Sequence, residues 1–328
     1  MIRKFFAALG CAVLGAAVML LALPLLPGQL LPHGRAETLA ATEAETAPAE
    51  PEPFDEAVTL RVLVDGAVRE QTLHDYLVCV LLAEVPSGFA AEALKAQACA
   101  ARTFALRQAG AGKHAEADVC ASAACCQGWY APEQWPEHAA AEAAVTETDG
   151  LAVVYDGQLI DATYFSCSGG RTEAAVAVWG GEIPYLQSVP SPGEEDAPRE
   201  TETLTFTAEE FRDRITPARP DADLSGTPET WFGAVRYTEG GGIGTLELGG
   251  ASFTGTELRR LLGLRSTDIE FSPQEDGVTV TTHGFGHRVG LSQYGAEAMA
   301  QAGRRFDEIL LHYYQGTEIR RLTLDDEK

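Results

Sequence analysis

The chain has 328 residues, 45% of them apolar, and a formal charge of −24 at pH 7. This is enough apolar material for one large core or two small ones. The charge argues against a nucleic-acid backbone as partner, because phosphate binding needs a basic surface, but a neutral polymer such as a glycan stays open.

Arg3 and Lys4 precede an uncharged apolar run from Phe5 to Leu23, 19 residues long. About 20 apolar residues span a bilayer, and the flanking cations favour a cytoplasmic N-terminus. Residues 1–33 therefore read as a single-pass anchor, a cleaved signal peptide being the other possibility. Either places the remainder outside the cytoplasmic membrane. Residues 34–57 are Ala, Glu, Thr and Pro, including PAEPEPFDE, and read as a disordered acidic linker. The folded domain is expected over 58–325.

AVTLRVLV alternates as a strand does, and Asp65-Gly66 signals a hairpin. Leu73 to Glu84 reads as a helix, with Leu73, Leu77, Val80, Leu81 and Glu84 on one stripe. Its other faces carry Val78, Cys79 and Leu82, so the helix should be buried nearly all round, and Glu84 with it. Desolvation raises a carboxyl pKa and favours the protonated form that a general acid needs. Ala91 to Gln108 is a second helix, rich in Ala; Lys95 and Arg102 share one face of it and Gln97 lies elsewhere on the wheel. GLAVVYDGQLIDATYFS is a hairpin about Asp156-Gly157 and delivers the turn Ser166-Cys167-Ser168-Gly169-Gly170-Arg171. Residues 190–202 read as a surface loop. Helices are expected at TAEEFRDRI, ELRRLLGL, Ser292–Ala302 and Phe306–Tyr314, and strands at WFGAVRY, TLELGG and VTVTTHGF. Hairpins mixed with helices, without repeating βαβ units, indicate an α+β fold, two mixed lobes around a substrate cleft.

Two constellations can carry chemistry besides Glu84. His114, Cys120, Cys125 and Cys126 fall within 13 residues, a donor set that suits tetrahedral zinc. Four protein ligands would close such a site, making it structural. A disulfide is the alternative in an oxidising compartment, although the chain's 7 cysteines are odd in number. His283 and His287 in HGFGH offer a second, weaker metal pair, with no Glu between them. No G-x-S-x-G elbow is present; SCSGG lacks its first glycine.

Three long stretches, LLAEVPSGFAAEALKAQACAARTFAL, YFSCSGGRTE and HGFGHRVGLSQYGAEAMAQAG, resemble the stage II sporulation protein D family of bacterial cell-wall enzymes. ELRRLLGLRST and FDEILLHYYQGTEI extend the resemblance over residues 58–321. It implies a lytic transglycosylase cleaving peptidoglycan glycan strands, those stripped of stem peptides, during engulfment in sporulation. The family's catalytic glutamate maps to Glu84. Its zinc site maps to His114, Cys120, Cys125 and Cys126, with Cys125 standing where a His is expected. A partner amidase and a membrane protein of the engulfment machinery are the implied partners. Lys95, Gln97, Arg102, Ser166, Ser168, Arg171, His283, His287, Gln293 and Tyr294 are the candidates for binding glycan or supporting the glycine turns. Arg102 could instead pair with Glu84 and lower its pKa. Two rivals remain: a non-catalytic glycan-binding protein that modifies an amidase, and a zinc hydrolase built on His283 and His287.

Overall fold

The computed structural model describes residues 53–325 apart from 132–137 and 196. The expected anchor over 1–33 and most of the linker over 34–57 lie outside these residues. Among the described residues no helix is long and apolar enough to cross a membrane. The domain is mixed α and β, with short sheets laid around helices.

Thr59–Val64 and Ala67–Thr72 pair antiparallel about Asp65-Gly66, whose φ angles of 50° and 81° make the tight turn that this dipeptide favours. Two helices follow the short first one (α1, Phe54–Ala57). The Thr72 hydroxyl caps α2 (Leu73–Glu84) by accepting from the Asp75 N–H, and Pro86 lies just past its end. Its residues Tyr76 to Leu82 are all buried. The long α3 (Ala91–Ala111) packs against α2, and its alanines bring neighbours close. Next come α4 (Ala139–Glu147), on α2 and α3, and α5 (Ala175–Trp179). Strand Leu151–Tyr155 lies between Gln158–Leu159 and Glu318–Arg321.

A separate core of residues 206–280 surrounds Phe211, Trp231 and Leu258. Its helices are α6 (Ala208–Ile215) and α7 (Gly255–Leu262). Strand Gly277–His283 runs between Asp268–Pro273 and Thr201–Thr207, antiparallel to both. Val278 and Val280 face inward, while Thr279 and Thr281 face Thr205 and Thr203 across the sheet. This is the physical basis of the VTVTT alternation. The last helices, α8 (Gln293–Gln301) and α9 (Phe306–Tyr313), return to pack on α3.

The start of the fold differs from expectation. Phe54–Ala57, assigned by composition to the linker, is the helix α1, with Phe54 and Asp55 buried. Its first N–H groups, those of Phe54 and Asp55, donate to the Asp149 carboxylate. The Asp55 carboxylate takes a forked pair from Arg102, Nε at 2.8 Å and Nη2 at 2.5 Å, and both side chains are fully buried. Arg102 is thus committed to Asp55 and to the Leu151 carbonyl, 2.9 Å away, and neither enters a cleft nor pairs with Glu84. An acidic, proline-flanked stretch reads as linker because its partner lies 47 residues further on.

Removing one member of a buried pair strands the other's charge. Arg102→Met is expected to lower the urea unfolding free energy by about 3–5 kcal/mol. The loss in Asp55→Ala/Arg102→Met is expected to fall clearly short of the sum of the two single losses, as a double-mutant cycle will show.

Candidate active-site cleft and metal centre

Glu84 ends α2 at the wall of a cavity of about 610 Å³. Tyr164, Ser166, His287 and Gln293 line the same cavity, and Glu84 is its one carboxylate among the described residues. The Gly128 N–H donates to Glu84 Oε1 at 2.5 Å. A β-carbon on residue 128 would sit 3.0 Å from that oxygen and 3.3 Å from the Ala83 β-carbon, so glycine permits the approach. Burial raises the Glu84 pKa above its ordinary 4.5; the Gly128 N–H, then the Gln293 and Tyr164 side chains, pull the other way. The balance leaves a carboxyl that is protonated more readily than a free one yet has a donor waiting for its anion.

Gly128 is itself held by its neighbour. The buried Gln127 amide accepts from the Tyr76 hydroxyl at 3.0 Å and donates to the Tyr164 hydroxyl at 2.8 Å. This ties α2, the 120s loop and the strand Tyr164–Phe165 at one point. None of Tyr76, Gln127, Gly128 or Tyr164 is conspicuous in the sequence, because each matters only through residues far along the chain.

His287 is buried, and desolvation lowers its pKa to about 4. Its Nδ1 accepts from the Val289 N–H at 3.1 Å, its other bond goes to the Tyr164 backbone, and its ring lies against Phe165 and Trp179. It is a neutral, internally satisfied side chain in the cavity wall. His283 lies instead with Glu200 and Thr201, its Nδ1 at 3.3 Å and 3.2 Å from them. The two histidines therefore do not converge on a metal, which removes the basis for the zinc-hydrolase alternative. The glycines between them serve packing: a β-carbon at Gly286 would meet Phe165 at 2.7 Å.

The other glycan-binding candidates divide plainly. Ser166, Gln293 and His287 line the cavity with Glu84. Tyr294 packs edge-on against Phe89, and its N–H donates to the Ser166 carbonyl. Lys95 spans Glu92 and Glu147, and Arg171 is held by Ser188 and Glu239. Gln97 is buried within α3. Ser168 is buried too, its N–H and hydroxyl donating to Glu194 at 2.5 Å and 2.9 Å. Glu194, within the stretch expected to be a surface loop, also accepts from the Gly169 N–H and the Ser191 hydroxyl. Arg288 grips the same turn from the other side, donating to the Ser168 carbonyl at 2.7 Å and the Arg171 carbonyl at 3.1 Å. Ser168 thus shapes the turn that carries Ser166, rather than facing the cavity. Helical and turn periodicity marked these polar residues, but Lys95, Arg171 and Ser168 have partners within the protein, and Gln97 is buried with neither amide atom hydrogen-bonded.

His114, Cys120, Cys125 and Cys126 do come together, their donor atoms all within 4.8 Å of one another. His114 Nε2 is 3.2 Å from Cys126 Sγ and 3.8 Å from Cys125 Sγ. Metal–ligand bonds of about 2.0–2.3 Å at tetrahedral angles separate donors by roughly 3.3–3.8 Å, so this set fits a small tetrahedral metal ion. The Cys125 and Cys126 N–H groups both donate to the Ser122 carbonyl, which folds the adjacent cysteines into one turn. All six described cysteines are free thiols, so no disulfide competes for the set. Gly128, the donor to Glu84, lies two residues beyond Cys126.

Comparison with known proteins places this arrangement. A family model described as Stage II sporulation protein matches residues 65–155, which include Glu84, Gly128 and all four candidate ligands. Stage II sporulation protein D of Bacillus subtilis (strain 168) is 38% identical over 266 residues, 77% of this chain and 76% of that protein. The chain belongs to the stage II sporulation protein D family. Stage II sporulation protein D of Bacillus amyloliquefaciens is 35% identical over 85% of this chain and 84% of that protein. An amidase enhancer of Bacillus subtilis (strain 168) is 28% identical over 72% of this chain and 39% of its own length.

A raised carboxyl pKa is also a stability statement. The contribution of Glu84 is fully present below the ordinary carboxyl range, where the group is protonated in both states, and is lost as pH rises through its raised folded value. Glu84→Gln keeps the oxygen that accepts from Gly128 and removes the buried charge. Its melting temperature is therefore expected to exceed that of the parent at pH 7–8 and to converge with it below about pH 4. A pH series of thermal melts reads the difference.

Proposed function

We propose that this family member is a lytic transglycosylase that cleaves peptidoglycan glycan strands and leaves 1,6-anhydromuramic acid ends. The observation that carries this is the single carboxyl group in the cavity. Glycosidases that use water or a covalent intermediate need a second carboxylate, within about 5–9.5 Å of the first. A cleft with one carboxyl group suits a reaction whose nucleophile is already in the substrate.

The chemistry then runs through Glu84. Its protonated carboxyl donates to the glycosidic oxygen as the bond from that oxygen to C1 of the muramic acid breaks. The resulting carboxylate is met by the Gly128 N–H. It takes the proton of the 6-hydroxyl as that oxygen bonds to C1, closing the anhydro ring. One proton is lent and returned, and no water is consumed. Burial makes the group a competent acid, and its donors stabilise it while it is a base.

The metal on His114 and its three cysteines would be zinc, held structurally, with no open coordination position for substrate. It would brace the loop that aims Gly128. The protein would act outside the cytoplasmic membrane on a single-pass anchor, in engulfment during sporulation, beside a membrane protein and an amidase. The amidase enhancer relative favours that last partnership. It also supports a second interpretation, a glycan-binding protein that modifies an amidase without cutting glycan.

Incubation of the protein with peptide-free glycan strands, followed by mass spectrometry, is expected to yield products with anhydro ends. Glu84→Gln should lower that rate by about 10²–10⁴, and the parent's rate should fall as pH rises through the raised Glu84 pKa. Reducing ends would indicate a hydrolase, and binding without products in both proteins would favour the amidase-modifying role. Cys126→Ser is expected to weaken zinc binding at least about tenfold, read by competition with a chromogenic chelator, and to lower the melting temperature.

A further inference from the structure

Arg259, on α7, reaches the cavity that holds Glu84, and so does Arg199. Every other partly or fully buried cationic cluster described so far has its carboxylate: Arg102 has Asp55, and Arg288 has Glu173 and Asp268. Arg259 has no ion pair among the described residues. Its Nε makes one long bond, 3.4 Å, to the Leu264 carbonyl. Burial lowers its pKa, the mark of a desolvated cation without a counter-ion. Arg199 is exposed, with its guanidinium 5.5 Å from the centre of the Phe285 ring, and likewise has no ion pair among the described residues. In a chain with 48 acidic and 24 basic residues, two arginines lining one cavity without an ion pair among the described residues are a local reversal of sign. A planar, forked donor of this kind is suited to a carboxylate.

A glycan strand of peptidoglycan offers one such group. Each muramic acid bears a lactyl ether whose carboxyl is tied up as an amide while the stem peptide is attached, and becomes an anion only when that amide is hydrolysed. We infer that Arg259, with Arg199 lining the same cavity, is a receptor for the free lactyl carboxylate, and so is the residue that would read the stripped strands which the family resemblance implies. This inference rests on the glycan-cleaving role proposed above and assigns the specificity to particular residues. Arg259 is a binding residue here; the proton transfers remain with Glu84.

The test separates the two. The full-length Glu84→Gln chain is titrated calorimetrically with strands bearing free lactyl carboxylates and with the same strands after conversion of those groups to neutral methylamides. The carboxylate strands are expected to bind at least about tenfold more tightly, the size of one charge-assisted hydrogen bond. Arg259→Gln in that background should erase the preference; Arg259→Lys should keep part of it. Equal affinity of the Glu84→Gln protein with Arg259 intact for both strands, or binding of neither, overturns the inference without any Arg259 variant having to fold. A preference that survives Arg259→Gln in a protein with an unchanged melting temperature overturns the assignment to Arg259. If the Glu84 protein forms no anhydro ends while the Arg259-dependent preference persists, the transglycosylase proposal fails and the carboxylate receptor stands. If it cleaves both kinds of strand equally well, the reverse holds.

Discussion

The domain is organised around a carboxyl group taken out of water. Glu84 ends a largely apolar helix and would be an ordinary helix end if it pointed outward. It points instead into a cavity, where desolvation favours its proton and a backbone N–H favours its charge. Neither influence removes the other. That tension requires a rigid donor, because a donor free to move would leave the anion unsupported in a dry place.

Much of the surrounding structure supplies that rigidity. Gln127 fastens the loop between two tyrosines that arrive from α2 and from strand Tyr164–Phe165. The His and Cys cluster sits immediately before it, so a bound metal would fix the same few residues from the other end. Glu194 and Arg288 clamp the turn that follows Ser166. These are buried charges used as fasteners, each hydrogen-bonded to several backbone or hydroxyl groups.

The contrast between compensated and uncompensated charge separates scaffold from cleft. The fully buried ions Asp55, Arg102, Glu173, Glu194 and Arg288 all have partners within the protein. Glu84 and Arg259, at the cavity, have neutral hydrogen-bond partners and no counter-ion among the described residues. Membership of the stage II sporulation protein D family places the chain in sporulation. The charge left open in the cleft is what the proposed chemistry and substrate rest on.

Local chemistry was legible from the residues alone. The Asp-Gly hairpins, the alternation of VTVTT, the apolar run ending in Glu84 and the dense His and Cys cluster each follow from neighbours within a few positions. Helix and strand periods, turn dihedrals and short ligand spacing are properties of that range. What the tertiary structure decided was where the polar side chains went. Asp55 looked like linker, Arg102 like a cleft residue and Glu194 like a surface loop. All three are buried, held by groups that folding brings from 26 to 49 residues away. Gly128 and Arg259 carried no sign of their place in the cleft for the same reason. A buried ion must find a partner somewhere, and the sequence states the need while only the fold chooses the partner.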